Sequence, residues 1–248
     1  MNLKQRVLIV EDDPDIAELL KVNLQDMSLS CEICTRGDKA IPIILANQFA
    51  LIILDLMLPG MSGVEICQEI RKSKPEQAIL MLTAKSSELD QILGLEVGAD
   101  DYMTKPFSIP ALQARVKVQL RRCQLYQESL EQVSRHAQPQ KIVIGDLSVD
   151  PTERRVNLRH VNIDLTALEF DLLKFFATRP EQVFSRTQLL DQVWGYDHAG
   201  YEHTVNSNIN RLRNKLQAVA GSKQIIQTVW GVGYRLSATN CTLSQEVE

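Results

Sequence analysis

Four short segments, each cut off by a polar residue, limit what this chain can become more than anything else in it. Val7–Val10 stops at Glu11-Asp12-Asp13, Leu51–Leu54 stops at Asp55, and Ile79–Leu82 stops at Thr83. A shorter segment from Asp101 to Thr104 ends at Lys105-Pro106. Brief apolar runs stopped by turn signals read as buried strands. Between them lie helical patterns: Pro14 to Asp26 carries Ile16, Leu19, Leu20 and Leu24, and Ile109 to Arg122 carries Leu112, Val116 and Leu120. Strand–helix alternation of this kind predicts an α/β fold with a doubly wound parallel sheet. Such sheets gather ligands outside the carboxyl ends of their strands. One carboxylate, a second acidic cluster, a hydroxyl and an ammonium are therefore expected to converge there.

That set suits a particular chemistry. Mg²⁺ takes oxygen ligands, typically one or two carboxylates with several waters retained. Glu11, Asp12 and Asp55 can supply them. With the negative charge screened, the remaining Asp55 oxygen can attack a phosphoryl group and form an aspartyl phosphate. Lys105 would be a point charge for the phosphoryl oxygens and the Thr83 hydroxyl a donor to one of them. Taken singly, Thr83 could cap a helix and Lys105 could be a surface charge. Four polar groups at four successive strand ends are harder to assign to coincidence.

At 248 residues the chain is long enough for two cores. It lacks the ~20-residue apolar stretch of a membrane span, and its N-terminus leads straight into a strand, so a cytoplasmic location is expected. The odd set of Cys31, Cys34, Cys67, Cys123 and Cys241 shows no disulfide framework. Cys31 and Cys34 form a CxxC, but on a strand that spacing sends the thiols to opposite faces.

From Cys123 to Gln140 the chain is polar and Gln-rich, a linker expected to begin as a continuation of the preceding helix. Beyond it, strand-like bursts at Lys141–Val149 and Arg155–Leu165 precede two capping boxes, Thr166-Ala-Leu-Glu169 and Ser185-Arg-Thr-Gln188. These predict helices near 166–178 and 185–194. A third helix is predicted over 203–217, followed by a hairpin from Ile225–Val229 to Tyr234–Leu236. Strands, three helices and a terminal hairpin make an α+β winged helix. The expected division is 1–122, linker 123–140, winged helix 141–237 and a loose tail 238–248.

Net charge is −4, yet no acid lies between Glu202 and Glu246, where Arg211, Arg213, Lys215, Lys223 and Arg235 fall. That local basic footprint points to nucleic acid. In helix 203–217, Val205, Ile209, Leu212 and Leu216 form the apolar stripe. The opposite face is expected to carry His203, Ser207, Asn210, Arg211 and Asn214, with Thr204 and Arg213 on the flanks. Such a face suits a major groove, where Arg and Asn read base edges.

Residues 6–122 resemble a response-regulator receiver domain in Val10-Glu-Asp-Asp13, Leu54-Asp-Leu-Met-Leu-Pro-Gly60, Leu82-Thr-Ala84 and Gly98-Ala-Asp-Asp-Tyr-Met-Thr-Lys-Pro-Phe107. The resemblance implies that a sensor histidine kinase phosphorylates Asp55. It implies that Glu11, Asp12, Asp55 and the backbone carbonyl of Met57 hold Mg²⁺, that Thr83 and Tyr102 form the switch beside Lys105, and that the Lys105–Pro106 bond is cis. The second half resembles the winged-helix effector domain of the OmpR/PhoB-like family in Leu189-Leu-Asp-Gln-Val-Trp-Gly195, in the run from His203 to Leu216 and in Thr228-Val-Trp-Gly-Val-Gly-Tyr-Arg235. It implies a homodimer on activation that binds double-stranded promoter DNA, with repeated half-sites, and works with RNA polymerase. Trp230 and Arg235 then join the DNA contacts.

Departures from that family fall in two places. Relatives often carry Arg-Thr-Val-Asp-Val-His-Ile-Arg-Arg where this chain has His203 and the neutral Asn206, Asn208 and Asn210, which predicts a shallower salt slope on DNA. A receiver-dimer ion pair is absent at Gln91 and Ala111, while Asp101 and Arg115 are expected to pair between protomers. Two other readings stand beside the phosphorylation-switched regulator. One is a regulator of this architecture that ignores phosphate. The other is an aspartyl-phosphate phosphatase or phosphotransferase, which generally places a second acid two residues after the nucleophile; Met57 occupies that position here.

Overall fold

The computed structural model describes residues 6–84, 97–132, 140–195 and 202–242. Two compact units emerge, Met1–Gln127 and Glu128–Glu248.

In the first unit, strands β1 (Arg6–Val10), β2 (Ser30–Cys34), β3 (Leu51–Asp55), β4 (Ile79–Ala84) and β5 (Asp101–Lys105) form a sheet in the order β2-β1-β3-β4-β5. Every pairing is parallel. Register sets the strand ends level: Val10 faces Leu54, Asp55 faces Leu82, and Ala84 faces Lys105. Because side chains alternate along a strand, each strand feeds two cores. Leu8, Val10, Ile52 and Leu54 pack with Ala40 and Ile44 of α2 (Gly37–Ala46) and with Ile66, Cys67 and Ile70 of α3 (Gly63–Ser73). Val7, Ile9, Leu51 and Ile53 pack instead with Leu20 and Leu24 of α1 (Pro14–Gln25) and with Leu112 and Val116 of α4 (Ile109–Gln132).

Helices α1 and α3 begin where the sequence provides side-chain caps. Asp13 accepts the Asp15 and Ile16 amides at 2.9 and 3.2 Å, and Pro14 tolerates the first turn because it has no N–H to satisfy. Ser62 and Glu65 form a capping box at the start of α3. At the other end of α3, Arg71 reaches the backbone oxygens of Gly98, Pro75 and Gln77 and the Asp100 carboxylate, the last at 2.8 Å. Asp100 also accepts the Ile79 amide at 2.8 Å. One guanidinium thereby ties α3 to the entry of β4 and to the turn before β5. Helix α4 runs to Gln132, ten residues into the segment read as linker. Residues 133–139 of that linker lie outside the described residues.

In the second unit, β6 (Ile142–Ile144), β7 (Leu147–Asp150), β8 (Arg155–Leu158) and β9 (Val161–Asn162) form an antiparallel sheet. Both expected capping boxes form, opening α5 (Ala167–Ala177) and α6 (Arg186–Leu189). Helix α6 passes into a π-helical turn, Leu190–Trp194, that Gly195 ends in the left-handed region. Helix α7 (Glu202–Ala220) precedes the hairpin of β10 (Ile226–Val229) and β11 (Gly233–Leu236). The core joins Leu147, Val149, Val156 and Leu158 to Phe170, Phe176, Trp194 and the α7 stripe of Val205, Ile209, Leu212 and Leu216. This is the winged helix expected from the sequence.

The expected loose tail is different at its start. Ala238–Cys241 form a short helix, α8, with Cys241 fully buried. Asn240 donates to the Gln224 carbonyl, Lys223 to that of Thr242, and Asp146 N–H to that of Cys241. A polar segment is held because its backbone oxygens serve neighbouring donors. Residues 243–248 lie outside the described residues.

Candidate functional site

At the carboxyl edge of the parallel sheet, Lys105 reaches across from β5 to two acids. Its Nζ donates to Asp55 Oδ2 at 2.7 Å and to Glu11 Oε1 and Oε2 at 2.8 and 2.7 Å. Asp55 also accepts the Met57 amide at 3.2 Å on Oδ1. Glu11 and Asp55 are buried and Asp12 is exposed, and one oxygen from each lies within 4.8 Å of the others. Burial pushes the Glu11 pKa up from 4.5 to about 7; the Lys105 hydrogen bond opposes the rise and the Asp55 charge adds to it. Burial also works against the Lys105 ammonium, but its bonds to Asp55 and Glu11 outweigh that and hold its pKa above the ordinary lysine value. An all-oxygen trio of this kind fits a hard divalent cation. Gly63 keeps the approach tight, since a Cβ there would fall 2.1 Å from the Asp55 carbonyl oxygen.

Thr83 is buried at the end of β4, its hydroxyl donating to the Ala84 carbonyl at 3.1 Å. The Tyr102 ring is packed inside, against the α2–α3 side of the sheet. Lys105–Pro106 is cis. Met57 sits just past Asp55 and is 74 % exposed. Asp101 and Arg115, expected to pair between protomers, instead form a buried ion pair within one chain. Strand β5 leads directly into α4, so the two charges are already neighbours. Gln91, the other position of the dimer argument, lies outside the described residues.

Helix α7 corrects the expected DNA face. Its apolar stripe is buried as foreseen, but Thr204, Ser207, Asn208 and Arg211 are buried too. Arg211 Nε stands 3.2 Å from Glu169 of α5, and the Arg211 guanidinium also donates to Asn208. Lys215 completes the cluster, 2.7 Å from Glu169. Burial would raise the Glu169 pKa, yet Arg211 and Lys215 overcome it and hold it below the usual range. Arg211, Thr204 and Ser207 are thus removed from the exposed face. A stripe of four residues marks the centre of a buried arc without giving its width, and α5 covers the flank. Asn210 and Asn214 are exposed and Arg213 is half-buried. The His203 side chain lies outside the described residues.

The hairpin is bolted to this helix. Arg213 donates to the Ile226 carbonyl and the Thr228 hydroxyl, both at 2.8 Å. Burial lowers the Arg213 pKa against a smaller opposing effect of Tyr234. Trp230, at the hairpin turn, is 91 % exposed. Arg235 engages Gln227 at 3.0 Å and Glu181 at 3.3 Å. Sequence reasoning missed the roles of Glu169 and Arg186. Glu169 was visible only as a capping residue, and nothing local announced its partners more than forty positions later.

Cys31 is half-buried and Cys34 buried, both as free thiols, and burial raises the Cys31 pKa to about 11, which suits neither a metal nor a redox role.

Comparison with known proteins agrees with this architecture. Residues 7–117 match the model described as response regulator receiver domain, and residues 160–236 the one described as transcriptional regulatory protein, C terminal. The chain is 41% identical over 234 residues to the DNA-binding response regulator MtrA of Mycolicibacterium smegmatis, covering 94% of this chain and 97% of that protein. A solved cysteine mutant of RitR matches with TM-score 0.71 at 30% identity, over 94% of this chain and 99% of that one. With a receiver sheet, a winged helix and a relative alike along nearly its whole length, the chain belongs to the two-component response regulators with an OmpR/PhoB-type DNA-binding domain.

Proposed function

We propose that Asp55 is the phosphoacceptor and that its phosphorylation by a sensor histidine kinase controls binding of the winged helix to promoter DNA. The carrying observation is the Lys105 ammonium held 2.7 Å from Asp55 and bonded to Glu11, with Asp12 alongside. Asp55 attacks phosphorus as the nitrogen–phosphorus bond of the kinase phosphohistidine breaks. The histidine nitrogen leaves with the bonding pair, and Asp55 becomes an acyl phosphate. Lys105 is placed to pair with the transferred oxygens and Thr83 to donate to one of them. Glu11, Asp12, Asp55 and the Met57 carbonyl would hold Mg²⁺, which when bound screens the charge between carboxylate and phosphoryl group. Tyr102 reads the change at Thr83.

Turnover of external substrates fits poorly, since Met57 offers no proton-transfer group. On DNA, Asn210, Asn214 and the half-buried Arg213 are the remaining α7 candidates, with Trp230 and Arg235 from the hairpin and His203 near the start of the helix. Dimerisation on phosphorylation and contact with RNA polymerase complete the reading. A cytoplasmic location agrees with the free cysteines and with the absence, among the described residues, of a helix long and apolar enough to cross a membrane.

The test is incubation of the full chain with acetyl phosphate and Mg²⁺, followed by intact mass. One phosphoryl group is expected on the wild type and none on Asp55→Asn. Labelling that survives the substitution would overturn the assignment.

A further inference from the structure

Where α6, α7 and the hairpin meet, two arginines flank one tyrosine. The Arg186 and Arg213 guanidinium carbons each lie 5.3 Å from the centre of the Tyr234 ring. Asn206 ties the group together: its Oδ1 accepts Arg186 Nε at 2.9 Å and the Tyr234 hydroxyl at 2.8 Å. Arg213 spends its bonds on the Ile226 carbonyl and the Thr228 hydroxyl. Every one of these acceptors is neutral. Among the described residues neither arginine has a carboxylate partner, and Arg186 bonds only through Nε, leaving its two terminal amino groups without a hydrogen bond to any described residue.

Such a cluster is electrostatically incomplete. Cation–π contact with one ring accommodates two guanidiniums but neutralises neither. Partly buried like charges held around one ring repel, and an anion arriving at the open edge of Arg186 would relieve them. The fork of an arginine suits phosphate oxygens in pairs. All three elements belong to the DNA-binding unit, and α7 and the hairpin are the two that the proposed DNA contacts occupy. A backbone phosphate of the duplex is the anion that this place selects.

We infer that Asn206 is a positioning residue for DNA binding: it holds Arg186 in place without neutralising it, leaving that guanidinium to take a phosphate. An aspartate of the same shape would accept the same two bonds and turn Arg186 into half of an internal ion pair. Choice of amide over acid at this position then sets the charge available to DNA. The inference rests on the DNA-binding reading above.

The experiment uses the full chain and a fluorescently labelled, mixed-sequence DNA duplex, because a phosphate contact carries no sequence requirement. Anisotropy titrations over a range of KCl concentrations give the affinity and its salt slope. Asn206→Asp is expected to weaken binding by roughly three- to tenfold near physiological salt and to make the slope shallower by about 0.9, one phosphate contact. Arg186→Gln should do the same, and the double variant should lose no more than either alone. Thermal unfolding of Asn206→Asp should match or exceed the wild type, which separates a charge effect from misfolding. Wild-type affinity and slope in Asn206→Asp would overturn the inference, as would additive losses in the double variant. Failure of the wild-type chain to bind any duplex would remove the DNA reading itself; binding that Asn206→Asp leaves untouched removes only the role given to Asn206.

Discussion

Replacing Arg211 with methionine separates two incompatible roles for the same side chain. In the structure this arginine is buried against Glu169, whose side chain is 1% exposed. Removing one partner of a buried pair typically costs about 3–5 kcal/mol, because the other charge is stranded. Here Glu169 keeps Lys215 at 2.7 Å and still accepts the Thr166 amide at 2.9 Å, which puts the expected loss at the low end, about 3 kcal/mol. For a domain near this size each kcal/mol lowers Tm by roughly 4 °C or more, so a drop of about 12 °C is expected. Urea unfolding followed by tryptophan fluorescence isolates the effect. Trp194 is buried in the second unit, Trp230 is already exposed, and the chain has no other tryptophan. Glu169→Gln keeps the capping box but removes the charge, so combining it with Arg211→Met should recover roughly 1 kcal/mol or more relative to additivity. A stability loss below about 1 kcal/mol, accompanied by weaker binding to a specific DNA site, would refute the ion-pair reasoning and restore Arg211 as a base reader.

Other consequences follow from the same kind of accounting. Arg71→Met should destabilise the receiver unit by about 3 kcal/mol, since it strands the buried Asp100; hydrogen exchange at the β4 amides would accelerate, and unchanged protection would contradict the clasp. Glu11 has a folded pKa raised to about 7, so the stability it contributes is full below its ordinary 4.5 and is lost as pH rises through about 7. Metal-free protein should therefore lose stability over that window, and apparent Mg²⁺ affinity should rise across it; calorimetry on Glu11→Gln should show both trends flattened. Trp230 fluorescence should be quenched on binding duplex DNA, and an unchanged spectrum under saturating DNA would exclude contact at the hairpin turn.

The receiver was legible because its information is local. Each strand run, each cap and each polar stop lies within a few residues, and parallel register then places Glu11, Asp55 and Lys105 together. That Lys105 bonds both acids at once was not visible, since it depends on β1, β3 and β5 being side by side. The winged helix was legible as elements but not as a surface. Helical period located the Val205–Leu216 stripe correctly, whereas the buried place of Arg211 is decided by Glu169 on another helix. Asp101 and Arg115 misled for the opposite reason: a family habit suggested partners on two molecules, while fourteen residues of chain return one to the other. Asn206 looked like a lost charge and is a junction between three elements.

Arg213 joins α7 to β10 through two 2.8 Å bonds and lies against Tyr234 of β11. Helix α7 and the hairpin, the two parts proposed to meet DNA, are therefore not independent fingers but the fixed jaws of a caliper. Such a tool cannot widen to suit what it measures. Any mismatch in groove spacing has to be absorbed by the DNA, at an elastic cost that differs from one base step to the next. Part of the target preference of this regulator would then lie in base pairs that no side chain touches.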